Sequence, residues 1–202
     1  MKSKLASILA LLQLLAVFLS WLVTAVAPQL YTRSLLSGEG IRWFLGRFAD
    51  NLAHPLLVWL ILIAIAWGTL SRSTLPSALL KLSRRQPVLY RQRFGLRVVA
   101  IELVLFAVVV LLLTAVPQAI LLSASGQLFP SSFSSSLIPL LAFIVTFVSV
   151  SFGLACGVLR SLAHICDALT SGLRAHADWL LIYVLAMQLW FSVRFILQHW
   201  LS

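Results

Sequence analysis

Acidic residues are nearly missing from this sequence. Five Asp and Glu stand against fifteen Lys and Arg, and charged residues make up 10% of the 202-residue chain. Soluble domains carry about 25%. No paired carboxylate, nucleophile elbow or phosphate-binding loop occurs, so the sequence predicts no enzyme. Cysteine is scarce as well. Cys156 and Cys166 match no zinc or redox spacing and read as two unrelated, unreactive thiols. The histidines His54, His164, His176 and His199 are scattered. His164 can share a helix face with Asp167, and His176 lies near Asp178, but no third ligand is in reach. The sequence therefore calls for no metal and no cofactor.

Apolar residues are abundant instead. They make up 61% of the chain, and the mean hydropathy is +1.05. A soluble protein of this length would have to hide more apolar surface than one core holds, so lipid is the expected solvent. A bilayer core takes about 20 apolar residues to cross. Five segments qualify: Leu5–Ala27, Pro55–Leu70, Val98–Leu122, Leu137–Leu159 and Trp179–His199. The second is short. The third carries Pro117, which a membrane helix tolerates when its neighbours satisfy the freed carbonyl. None alternates with the period of a barrel strand. The fold class predicted is all-α, a polytopic membrane helix bundle forming a single membrane domain over 1–202.

The first segment, after Lys2 and Lys4, imitates a signal peptide down to the small-x-small ending Ala25-Val26-Ala27. Its apolar run is about twice a signal-peptide core, and Pro28 disfavours cleavage. It is read as an uncleaved first helix. Orientation follows from the bases. Lys2, Lys4, Arg72, Lys81, Arg84, Arg85, Arg91, Arg93, Arg97, Arg160 and Arg174 fall on one side, and Arg33, Arg42 and Arg47 on the other. The N-terminus is expected in the cytoplasm and the C-terminus outside, in a bacterial inner membrane. The formal charge of +10 is spread over these flanks, where it suits anionic lipid and no nucleic acid.

The connections carry their own signals. Ser37-Gly38-Glu39 has the form of a capped helix start. Ile41, Phe44, Leu45, Phe48 and Leu52 follow at helical spacing, with Arg42, Arg47 and Asp50 off that stripe. An interfacial amphipathic helix is predicted over 38–52, for anchoring or for gating. The basic connection with Pro76 and Pro87 reads as a lipid-attached or partner-docking loop, and Ser123–Ser136 as a flexible outer one.

Ionisable groups inside membrane spans are functional candidates by default. Glu102 lies about 6 Å past Val98, as a proton or ion site or as a partner of Arg97. Arg194 lies near the outer end of the last segment, able to reach the head groups. Their depths differ by more than about 10 Å, which argues against a mutual pair. Ala142, Thr146, Ser149, Gly153 and Gly157 form a small-residue stripe containing a GxxxG, a packing face inside the bundle or for a homodimer or other membrane partner.

Three stretches resemble the p-aminobenzoyl-glutamate (AbgT) transporter family. Leu35-Leu-Ser-Gly-Glu-Gly-Ile-Arg-Trp-Phe-Leu45 is similar to the family's "LLSxEGIRW" segment before its second membrane helix. Trp67-Gly-Thr-Leu-Ser-Arg-Ser-Thr-Leu75, with Ser77-Ala-Leu-Leu-Lys81, looks like the end of that helix and the loop after it. Phe152-Gly-Leu-Ala-Cys-Gly-Val-Leu-Arg-Ser161 is similar to "YGIxxGTIKS", and Ala186-Met-Gln188 to "AAQF". The resemblance implies a shortened member, a reduced transporter or transporter subunit for an aromatic anionic solute such as p-aminobenzoyl-glutamate. Glu102, Gln188 and Arg194 are then the polar groups of the solute or ion pathway. The alternative is a non-transporting membrane scaffold or accessory subunit.

Overall fold

In the computed structural model, residues 2–28, 32–115 and 132–197 are described, and every extended element among them is α-helical. The helices are α1 (Lys2–Val26), α2 (Gly38–Gly46), α3 (Phe48–Leu52), α4 (Pro55–Arg72), α5 (Leu75–Ser83), α6 (Tyr90–Ala115), α7 (Ser132–Ala155) and α8 (Leu162–Ile196). Five of them, α1, α4, α6, α7 and α8, are long and apolar enough to cross a membrane. That build is compatible with an integral membrane protein. Leu14 at 70% and Ile101 at 69% exposure are typical of the apolar side chains these helices turn outward, which water would penalise and lipid does not. Pro117, the predicted end of the third segment at Leu122, residues 123–131 and His199 lie outside the described residues.

Several helices outrun their apolar windows. α6 starts at Tyr90 rather than Val98, and α7 starts at Ser132, taking up residues expected in a flexible loop. α8 starts at Leu162 rather than Trp179 and so contains Cys166 and Arg174. Hydropathy marks the stretch that suits hydrocarbon, whereas polar turns continue a helix into the head groups. The basic connection itself holds α5. The predicted interfacial helix is in fact α2 and α3, separated at Arg47 (φ −107°, ψ 12°).

The chain forms two compact units, Met1–Val58 with His176–Ser202 and Trp59–Ala175. The boundary in α8 falls at His176, whose φ of −116° and ψ of 15° interrupt the helix.

In the first unit α1 runs parallel to the later part of α8. Lys2 lies 3.9 Å from Asp178 and over the Trp179 ring, and Gln13 Nε2 donates to Ser192 Oγ at 2.9 Å. The chain after α1 is pinned by Ser20. Its buried hydroxyl donates to Val17 O and accepts from Leu35 N at 3.0 Å. Ser37 then caps α2 as its sequence predicts, accepting from Gly40 N at 3.0 Å. Tyr183 Oη donates at 3.0 Å to Leu52 O, the carbonyl at the end of α3 that also accepts from His54 N.

The second unit is centred on Leu75, Ala78, Val99, Val148 and Phe152. α6 and α7 are antiparallel: Gly95 faces Phe152, and Phe106 meets Phe143 and Phe147 edge-on at 6.1 and 5.5 Å. Ala64 and Gly68 of α4 cross Ala168 and Gly172 of α8 backbone to backbone. A Cβ on Gly68 would collide with Gly172, and one on Gly172 with the Ala64 carbonyl. This is the small-residue contact of membrane helices. Beside it, Asp167 receives Arg174 at 3.0 Å and Arg72 at 3.5 Å.

The predicted GxxxG lies at the C-terminal end of α7. α7 ends at Ala155, and Gly157 sits beyond it at φ 74°. Val158 N and Gly157 N donate to Gly153 O and Leu154 O, closing the helix with a left-handed cap. Gly153 is buried under Leu159 of the same turn, and Ser149 is fully buried inside this unit. α5 closes in the same way, with Gln86 N on Lys81 O and Arg85 N on Leu82 O. There the left-handed position is held by Arg85 at φ 52°, a non-glycine residue, at a cost of about 1–2 kcal/mol.

Two outcomes test this arrangement. Gly172→Ala should destabilise the purified protein by at least about 1–3 kcal/mol, because only backbone can yield. Gly46→Ala, whose new methyl meets nothing within 4 Å, should leave the melting curve unchanged; equal curves would exclude the close crossing. Burial pushes the Cys156 thiol up, and it donates to Arg91 O at 3.7 Å, whereas Cys166 is exposed. Single-cysteine variants should therefore alkylate faster at Cys166 near neutral pH. The gap should narrow as rising pH forms the Cys156 thiolate; equal rates at neutral pH would refute the shielding.

Candidate functional site

The first unit carries a groove of about 370 Å³ lined by Arg33, Glu39, Arg42, Trp43, Arg47 and Phe195. α2 supplies three of these six residues. Because Ser37 fixes where that helix starts, Glu39, Arg42 and Trp43 are set within its first two turns. Gly40 lets α2 lie directly on Ser34 and Leu35, where a side chain would collide. Trp43 stacks on Phe195 of α8, with ring centroids 4.4 Å apart and planes at 21°. Arg33 lies over the Phe195 ring at 5.7 Å and bonds Glu39 at 3.1 Å.

The charge in the groove is unbalanced. Glu39 is its one acid and is engaged by Arg33, while Arg42 and Arg47 meet no acidic side chain among the described residues. An aromatic wall with free guanidinium groups accepts carboxylates by forked hydrogen bonds and flat rings by stacking.

Phe195, Ser192 and Gln188 follow one another on one face of α8 at helical spacing, leading away from the groove over about 10 Å. Ser192 is fully buried and bonded to Gln13. Gln188 is 4% exposed, and neither its Nε2 nor its Oε1 finds a partner among the described residues. The Oε1 of Gln13 is likewise unmatched. A buried amide without partners costs about 1–3 kcal/mol, so this file of polar groups is suited to a hydrated or solute-lined path.

Of the residues singled out by sequence, Gln188 belongs to this file. Arg194 is exposed on α8 outside the groove lining. Glu102 lies in the second unit, half-buried, with Oε2 unpartnered, and the expected pair with Arg97 does not form. Ser149 Oγ is another buried, unmatched group of that unit. Among the described residues no group of three metal-ligating side chains comes together. Sequence reasoning missed the groove itself. Its signal was present: three arginines stand in the connection that the base count assigns to the outer side, where the orientation rule disfavours them. Compared with known proteins, the chain matches no family model, no curated protein and no solved structure.

Proposed function

We propose that the chain is a multi-pass protein of a bacterial inner membrane that binds a small aromatic anion in the α2–α8 groove, as a reduced transporter or the solute-binding subunit of one. The observation that carries this reading is the Trp43–Phe195 stack set beside the uncompensated Arg42 and Arg47. The parallel course of α1 and the later part of α8 supports the topology, since the first and fifth of five alternating crossings run the same way. With the N-terminus in the cytoplasm, the groove opens to the outside.

The resemblance to the p-aminobenzoyl-glutamate transporter family supports the choice of solute. That molecule has one benzamide ring and two carboxylates. The ring suits the aromatic wall, the carboxylates suit Arg42 and Arg47, and the amides of Gln188 and Gln13 suit its single amide linkage. In this reading Arg194 serves the outer end of the pathway, and Glu102 is a separate candidate proton site of the second unit.

Equilibrium binding of labelled p-aminobenzoyl-glutamate to the detergent-solubilised protein tests the proposal. Arg42→Gln and Arg47→Gln should each weaken binding by roughly 10- to 100-fold, the loss of one charge-assisted hydrogen bond or pair. Gln188→Leu should spare binding at the groove and abolish accumulation in cells. Wild-type binding that both arginine variants leave unchanged would overturn the assignment. Binding with no accumulation by wild-type cells would favour an accessory subunit.

A further inference from the structure

The second unit has another groove, of about 460 Å³, where α5 turns into α6. Its walls include Arg85, Gln86, Arg93 and Arg97, and its floor includes Leu96 and Ala100. Arg93 and Arg97 are one turn apart on α6, in the basic first turns that precede its apolar length. None of the three guanidinium groups meets an acidic side chain among the described residues. Three like charges thus converge on a half-apolar groove. Beyond it the same helix exposes Ile101, Val104, Leu105 and Val108.

The backbone adds an independent observation. Arg85 occupies the left-handed position that closes α5, at φ 52°, where glycine is the undemanding choice and where α7 uses Gly157. A costly residue in a costly conformation, aimed into the groove, points to a side chain kept for what it binds.

We propose that this groove is a specific site for a phospholipid bearing two phosphodiesters, the cardiolipin class. Its head group would lie among Arg85, Arg93 and Arg97 and its acyl chains along the exposed stripe of α6. Basic pockets at the membrane boundary take phosphate head groups in this way. The charge favours two phosphates over one: a single phosphodiester leaves two guanidinium groups unmatched, and a linked pair leaves one. The apolar floor continuing into lipid-facing α6 favours a lipid over free phosphate.

Native mass spectrometry of the detergent-purified protein, titrated with cardiolipin, phosphatidylglycerol and inorganic phosphate, decides the matter. One cardiolipin per chain should be retained, with higher affinity than phosphatidylglycerol. Arg93→Gln and Arg97→Gln should each weaken it about fivefold. Arg85→Gly should weaken it by a similar factor while the melting temperature holds or rises, because glycine relaxes the turn. That variant separates lost binding from lost folding. Equal retention of both lipids, competition by inorganic phosphate at equal concentration, or full cardiolipin affinity in a stable Arg85→Gly protein would each overturn the proposal.

Discussion

Hydrocarbon offers no hydrogen bonds, so a chain this apolar must satisfy its own backbone wherever a helix stops. The breaks between helices follow from that constraint. Ser20 gives its oxygen to Leu35 N, and so the chain leaving α1 is tied back to the helix it has left. Tyr183 reaches across to the last carbonyl of α3. The two left-handed caps after α5 and α7 recover carbonyls that would otherwise be open. Other hydroxyls of the apolar segments, among them Thr114 and Thr146, donate to a carbonyl one turn back in their own helix, which makes the unpartnered groups conspicuous. Gln188, Gln13, Glu102 and Ser149 each bury an atom with no partner among the described residues.

The scarcity of acids shapes the electrostatics in the same manner. Asp167 serves two arginines, Asp178 serves Lys2 and Glu39 serves Arg33. Most of the remaining bases meet no acidic side chain among the described residues, so their counter-ions come from solvent, solute or lipid. Both grooves are places where such bases are collected beside apolar walls. They differ in what the walls are made of: a stacked aromatic pair in one, and aliphatic side chains continuous with a lipid-facing helix in the other.

The five long helices and the start of α2 were legible because period, length and capping chemistry are local properties. α5 was not, since Pro76 and the bases that follow it imitate a loop, and the early part of α8 was not, since its polar turns lie outside any apolar window. The GxxxG of α7 showed the limit of a motif. The glycine that permits close packing also permits a left-handed turn, and Gly157 does the latter. The contact that does bring two backbones together uses Gly68 and Gly172, single glycines about a hundred residues apart. No spacing rule joins them. The groove depends likewise on Trp43 meeting Phe195, a pairing only the tertiary structure reveals.

The pairing of α1 with the later part of α8 also bears on biogenesis. Gln13 and Ser192 lie 179 residues apart, and synthesis at about 5–20 residues per second separates them by roughly ten to thirty seconds. Through that interval Gln13 cannot have Ser192 as its partner, and Lys2 cannot have Asp178. Assembly of this unit is therefore completed only when the later part of α8 arrives.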